Sequence, residues 1–227
     1  MAKLKPKVGP QQLKELTVRL EHSRKVFGGQ LREFEQTGKR YIDRAPALPQ
    51  DLLETCRLYS DRFGLLETLP KRAVVGEVGT DRGDFAAKIL AVAQPSKLHI
   101  FELDITRINP DNISAQVADG SCEIHVGDSS EQLLALPDQS FDWIYIDGDH
   151  NYEGVKRDIT AAAPKIRPGG LMVFNDYAVW SVASMRRCGV AKAANEFAIA
   201  NNWSLVGFAF QTTMYCDAAF RKPGGPA

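Results

Sequence analysis

The sequence predicts an α/β fold of the nucleotide-binding kind, and three observations predict it. A short apolar run from Ala73 to Val78 leads through Gly79 and Gly83 into an apolar helical pattern ending at Leu90, which reads as strand, tight turn and helix. Three later apolar runs, at Lys97–Asp104, Cys122–Ser130 and Phe141–Asp147, each end in acidic side chains. A helical pattern from Tyr152 and a further strand at Leu171–Phe174 continue the alternation that builds a mostly parallel sheet.

The turn is informative for what it lacks. Glycine tolerates positive φ and lets a ligand approach the backbone, and the helix start behind it offers unpaired N–H groups. A dinucleotide fingerprint needs G-x-G-x-x-G and a phosphate loop needs Gly-Lys-Ser/Thr. Gly79 and Gly83 satisfy neither, and an acidic Glu77 stands two residues ahead of them.

Length and charge narrow the classes. The 227 residues suffice for one sizeable α/β domain with an N-terminal extension. Lys plus Arg and Asp plus Glu balance at 28 each, so no basic excess favours nucleic acid as a partner. Cys56, Cys122, Cys188 and Cys216 form no C-x-x-C pair and read as free thiols of a reducing compartment. Lys3, Lys5 and Lys7 precede no unbroken apolar segment, so neither a signal peptide nor a membrane span is expected. A soluble cytoplasmic protein is the resulting expectation.

Three regions are expected: a helical extension or lid over 1–70, the main domain over 71–220, and a frayed tail over 221–227. From Gln11 to Gln36, Leu13, Leu16, Leu20, Phe27, Leu31 and Phe34 recur at near-heptad spacing, an amphipathic helix with a break at Gly28-Gly29. Such a helix suits packing on its own domain or against its copy in a homodimer. After Pro46 and Pro49, a second helix is expected from Asp51 to Leu69, with Leu52, Cys56, Tyr59, Phe63 and Leu66 on one face and Pro70 as its stop.

The carboxylates at the strand ends are the candidate site. Glu102 and Asp104 lie about 20 residues past the glycine turn, where nucleotide-type folds hold ribose hydroxyls; either position serves. Asp128 in Gly-Asp-Ser has the residue type that caps a helix from Glu131 to Leu136. Asp147, Asp149 and His150 crowd the end of one strand, and Asn175 and Asp176 the end of the next. Such a cluster is costly unless a cation, proton or donor compensates, and its oxygen-rich character suits magnesium.

The helix from Tyr152 is expected to end at Ile166, with Arg167-Pro168-Gly169-Gly170 as its stop. A helix from Val182 to Asn201 and two strands, Trp203–Phe210 and Thr213–Phe220, complete the chain. Tyr177 and Trp180 are candidates for an acceptor wall or for packing.

Taken together, Glu-Val-Gly-Thr-x-x-Gly, Gly-Asp-Ser, Ile-Asp-Gly-Asp-His-x-Tyr-Glu-Gly-Val-x-x-Asp, Pro-Gly-Gly and Asn-Asp-Tyr resemble the class I S-adenosylmethionine-dependent methyltransferases. The branch is that of macrocin-type and other natural-product O-methyltransferases, with a more distant likeness to catechol O-methyltransferases. The resemblance spans Val74 to Phe220. It implies a Rossmann-like sandwich whose mostly parallel, seven-stranded sheet has an antiparallel last strand. It also implies O-methylation of a small-molecule hydroxyl on a sugar, phenol or similar acceptor. The alternatives are a non-catalytic cofactor-binding module of the same fold and a different acceptor atom. A nucleic-acid acceptor is disfavoured, because Asp-Tyr follows Asn175 where base-amino methylases have Pro-Pro-Tyr.

By the same resemblance, S-adenosylmethionine would meet Glu77, Gly79, Thr80, Gly83, Glu102 or Asp104, Asp128, Ser129 and Asp147. Asp128 would accept from the adenine amino group. Magnesium would sit on Asp147, Asn175 and Asp176, although metal-dependent relatives have a second aspartate at the place of Asn175. His150 or Asp149 would take the acceptor proton; an imidazole titrates near pH 6.5, close to where a general base works best.

Overall fold

The computed structural model describes residues 8–40, 44–182, 184–212 and 214–224. Lys3, Lys5, Lys7, Thr213 and the last three positions of the expected 221–227 tail lie outside the described residues. Helix α1 spans Pro10–Thr37 and ends on Gly38 at φ 69°. It starts with proline, which needs no N–H there, and the Gln12 side chain accepts from the Gly9 N–H at 3.1 Å. Gly28 and Gly29 do not break it, contrary to the sequence expectation; each costs about 1 kcal/mol of helix propensity relative to alanine. None of its residues is buried.

The helix expected from Asp51 to Leu69 is replaced by three elements. A 3-10 turn at Gln50–Leu52 is followed by strand β1 (Arg57–Tyr59) and helix α2 (Arg62–Thr68). Asp61 caps α2 by accepting the Gly64 N–H at 2.8 Å.

The main alternation follows: β2 (Val74–Val78), α3 (Asp84–Ala93), β3 (Lys97–Glu102), α4 (Pro110–Ala118), β4 (Cys122–Val126) and α5 (Ser129–Leu134). Then come β5 (Phe141–Ile146), α6 (Tyr152–Lys165), β6 (Ile166–Phe174), a small ribbon of β7 (Trp180–Ser181) and β8 (Arg186–Arg187), α7 (Val190–Asn201), β9 (Ser204–Phe210) and β10 (Cys216–Arg221). The ribbon takes up the first turns of the helix expected from Val182.

Helix α6 ends at Lys165, within a residue of the expected Ile166, and Arg167-Pro168-Gly169-Gly170 follows it as expected, but inside β6. Phe141 pairs with Ile166 and Trp143 with Leu171, so the intervening residues bulge from the ladder. The end of the chain secures the bulge: Gly169 N–H donates to Lys222 O and Lys222 N–H to Gly170 O.

The sheet runs β1-β9-β10-β6-β5-β2-β3-β4 and has eight strands where seven were expected. The extra member is β1, which pairs parallel to β9 at the edge. β10 runs antiparallel to both neighbours, as the resemblance implied.

Helices cover both faces. Leu65, Leu66, Phe85, Ile89 and Ile113 of α2, α3 and α4 pack on one side; Leu133, Val155, Ile159 and Ala194 of α5, α6 and α7 pack on the other. Central strands buried on both faces read as continuous apolar runs, and Val75, Val78, Trp143, Ile144 and Ile146 are at most 3% exposed. Each aliphatic side chain so buried contributes about 1.5–3 kcal/mol. The carboxyl ends of β2, β3, β4, β5 and β6 thereby share one rim. Among the described residues no helix is long and apolar enough to cross a membrane.

Candidate active site

The rim is built around a turn that only glycine fits. Gly79 holds φ at 78°, donates its N–H to Phe101 O at 2.9 Å, and would drive a Cβ into the carbonyl oxygen of Asp147. Gly83, at φ 77°, caps α3. Between them the Thr80 hydroxyl donates to Glu77 at 2.7 Å. Glu77 is 1% exposed, and burial pushes its carboxyl up to about 8 against the pull of the Thr80 hydrogen bond. It is a protonated strut beneath the turn at neutral pH.

The two acids at the end of β3 separate in role. Glu102 turns to the glycine loop, its Oε2 accepting from the N–H groups of Thr80 (2.8 Å) and Asp81 (3.0 Å) and its Oε1 from Asp104 N–H (3.1 Å). Asp104 is exposed and occupied locally: its Oδ1 accepts from the Thr106 hydroxyl (2.6 Å) and N–H (3.0 Å), and these bonds hold its carboxyl below the usual range. Asp128 caps α5, with the Ser130 N–H and hydroxyl and the Glu131 N–H all donating to Oδ1. Ser129 donates its hydroxyl to Asp158 at 2.5 Å.

A cleft of about 470 Å³ runs along these strand ends. It brings together Gly79, Glu102, Asp104, Asp128, Ser129, Asp147 and Asp149 of the expected residues. Glu77 lies beneath it and Gly83 at the start of α3.

A second group stands beside the cleft. His150 Nε2 is 3.5 Å from Asp147 Oδ1 and 3.6 Å from Asp176 Oδ2, and it is buried without a hydrogen-bond partner. Burial, with Glu77, Asp176 and Asp217 nearby, raises the Asp147 carboxyl well above its usual value. Burial also raises Asp176, opposed by His150 and Arg62. Asp176 is held at φ 49°, a strained conformation for a residue with a side chain.

Asp149 is not part of that group. Its Oδ1 accepts the N–H and side-chain amide of Asn151, and its carboxylate fills the space that a Cβ on Gly154 would need. Asn175 presents its amide N–H to Asp147 Oδ2 at 3.0 Å. The imidazole stands between the two carboxylates. Asp147, Asn175 and Asp176 do lie together, and a hard cation there would take the Asn175 amide through its oxygen once the amide is turned.

Four further side chains of the candidate site escaped the sequence reading. Arg62, the first residue of α2, feels the charges of Tyr145, Asp217 and Asp147, and its guanidinium lies 4.6 Å from the Phe85 ring centroid. Its charge faces the acids Glu77, Asp147, Asp176 and Asp217. Tyr145 donates to Asp217 at 2.6 Å, and burial lifts Asp217 to about 6. Asp158, the last acid of the Tyr-Glu-Gly-Val-x-x-Asp motif, is raised to about 6, also by burial. Of these only Asp158 carried a signal in the sequence, through its place in that motif.

The aromatic candidates divide. Tyr177 belongs to the packing, with its hydroxyl donating to Asn195 and its ring against Phe208 and Phe220. Trp180 stands on the ribbon with Phe27 of α1 edge-on, 6.3 Å between centroids.

Residues 77–177 match the model of a family described as a methyltransferase domain. No curated protein matches the chain by sequence. Among solved structures, an O-methyltransferase family protein from Burkholderia thailandensis aligns at 14% identity and TM-score 0.56, covering 73% of this chain and 56% of that one. The chain thus spans little more than half of that relative's length. The O-methyltransferase TomG from Streptomyces achromogenes, involved in tomaymycin synthesis and solved with S-adenosylmethionine, aligns at 19% identity and TM-score 0.56, covering 72% and 80%. The tRNA methyltransferase TrmK from B. subtilis aligns at 12% and 0.54, covering 73% and 66%. Acceptors as different as these share one fold, so the fold alone leaves the acceptor open. The matched segment, somewhat under half of the chain, contains the glycine turn, the cleft and both carboxylate-bearing loops, and the solved O-methyltransferases share the fold around it.

Proposed function

We propose that the protein moves the methyl group of S-adenosylmethionine to a hydroxyl oxygen of a small molecule, with His150 as the base. The observation that carries this reading is the imidazole Nε2, buried without a partner between Asp147 and Asp176 at the edge of the cleft. A nitrogen so placed has no hydrogen bond to give up when it takes a hydroxyl proton, and the two carboxylates stabilise the imidazolium that forms.

In this reading the donor lies along the cleft. The ribose hydroxyls donate to Glu102, whose carboxylate already ties the glycine turn to β3. Adenine reaches Asp128, and Ser129 and Asp158 line the wall beside it. At the methionine end, Asp147 attracts the ammonium and the sulfonium, while Arg62 takes the carboxylate. Methyl transfer is an in-line displacement: the acceptor oxygen forms the new C–O bond as the C–S bond breaks, and the proton passes to His150 Nε2. The chain's contribution is alignment and the removal of that proton.

Binding of magnesium by Asp147, Asn175 and Asp176 is the second reading, favoured by the surplus of carboxylates over cations there. The metal would acidify the bound hydroxyl. The two readings part in one assay, transfer of labelled methyl to pooled sugars and phenols. We expect transfer that survives EDTA and falls about 10²–10⁴-fold in His150→Ala. Transfer abolished by EDTA and restored by magnesium would favour the metal; retention of donor without any methylated product would identify a binding module.

A further inference from the structure

We infer that α1 is a dimerisation arm that pairs antiparallel with α1 of a second copy of this chain. The inference goes beyond the catalytic reading and does not depend on it. At 100° per residue, Leu13, Leu16, Leu20, Phe27, Leu31 and Phe34 fall in an arc of roughly 60°. These side chains are 38–56% exposed, an apolar stripe in water along a helix with no buried residue. The helix docks on its own chain by a different line. Ser23, Val26, Gly28, Gly29, Gln30 and Glu33 are its half-buried residues, with Gln30 donating to Met185 O and Arg187 donating to Glu33 at 3.0 Å. Apart from Phe27, which meets Trp180, the apolar stripe faces out, and the line toward the body of the chain is largely polar or glycine. That is the reverse of what a helix serving only its own core would do.

The stripe is also symmetric. Its spacings of 3, 4, 7, 4 and 3 read the same in both directions about the Ser23–Arg24 peptide. A two-fold axis there sets Leu13 against Phe34 of the second copy, Leu16 against Leu31, and Leu20 against Phe27. This is the self-complementarity that an isologous contact requires.

Two opposite-charge pairs come within two positions of facing each other in the same register. Lys14, Glu21, Arg24 and Glu35 lie along one flank of the stripe, and the antiparallel register brings Lys14 beside Glu35 and Glu21 beside Arg24. A parallel pair would instead set Phe27 against Phe27 and Phe34 against Phe34. The 28 residues extend about 42 Å. That length lets the stripe supply on the order of the 800 Å² per partner of a stable interface. In the pair, the exposed first half of one arm covers the second half of the other, where Phe27 meets Trp180 of the ribbon. Each copy thereby braces the ribbon at its partner's candidate acceptor wall.

The test uses the full chain. Light scattering at 50 μM should give twice the 25.1 kDa chain mass. Leu16→Glu combined with Leu20→Glu should return it to one chain mass with an unchanged circular dichroism spectrum. In a background with Cys56→Ser and Cys216→Ser, Arg24→Cys should be joined to its copy by a short bismaleimide, and Leu13→Cys should not. A wild-type chain that stays monomeric at this concentration, a double variant that stays dimeric, or coupling through Leu13→Cys instead of Arg24→Cys would each overturn the proposal.

Discussion

Tyr145 donates its phenolic hydroxyl to Asp217 at 2.6 Å, tying central strand β5 to antiparallel β10 beneath the candidate cleft. Both residues are at most 2% exposed. Tyr145→Phe removes the donor and leaves the carboxylate with Gln211 as its remaining hydrogen-bond donor. The expected loss is about 1–3 kcal/mol of stability by urea unfolding. A loss within error would show that water takes over the bond.

Glu77 gives stability a pH dependence with a defined sign. Its carboxyl is raised from 4.5 to about 8 in the fold, so its stabilising contribution is complete below about 4.5 and is lost as pH rises through about 8. Glu77→Gln keeps the group neutral throughout. Its melting temperature should therefore rise relative to wild type between pH 5 and pH 8.5, and parallel curves would contradict the assignment.

Gly79→Ala should be severe. The residue combines φ 78° with a direct collision against the Asp147 carbonyl oxygen, so backbone strain and displacement of the β5 end coincide. A cost of about 2 kcal/mol or more in thermal unfolding is expected, together with weaker donor binding. Gly29→Ala, with no atom nearer than 3.9 Å to its Cβ position, should be neutral or stabilising by the same assay.

Arg62→Met separates donor binding from chemistry. If the guanidinium holds the methionine carboxylate, the variant should bind S-adenosylmethionine roughly tenfold more weakly, the equivalent of about 1.4 kcal/mol. It should bind methylthioadenosine, which has no carboxylate, as wild type does. Equal weakening of both ligands would mean that Arg62 serves only the acid cluster.

Much of the rim was legible because its residues are local to strand ends. An apolar run followed by Gly79 and Gly83, and acids closing each later run, are visible without knowing which strands touch. The errors share a different cause. Leu52, Cys56, Tyr59, Phe63 and Leu66 satisfy a helical period, but Arg57–Tyr59 gains a parallel partner in β9, some 150 residues away, and that pairing decides its conformation. Pro168-Gly169-Gly170 does follow the end of a helix, but backbone bonds with Lys222 hold it as a strand bulge, which its composition does not show.

Side chains that act across elements left no local trace either. Arg62 reaches the acids only because α2 packs across the sheet against β9 and α3, and Asp217 matters because β10 inserts between β6 and β9. Between Glu102 and Asp104, residue type could not choose; the hydrogen bonds from Thr80 and Asp81 N–H groups distinguish Glu102.

The central claim is that the glycine turn and the facing carboxylates form one S-adenosylmethionine site, and titration calorimetry with that donor tests it most directly. The account predicts one donor per chain with micromolar affinity, weakened tenfold or more in Glu102→Ala, which loses both hydrogen-bond acceptors for the ribose. Folded wild-type protein that gives no binding heat at millimolar donor, with and without magnesium, would contradict it.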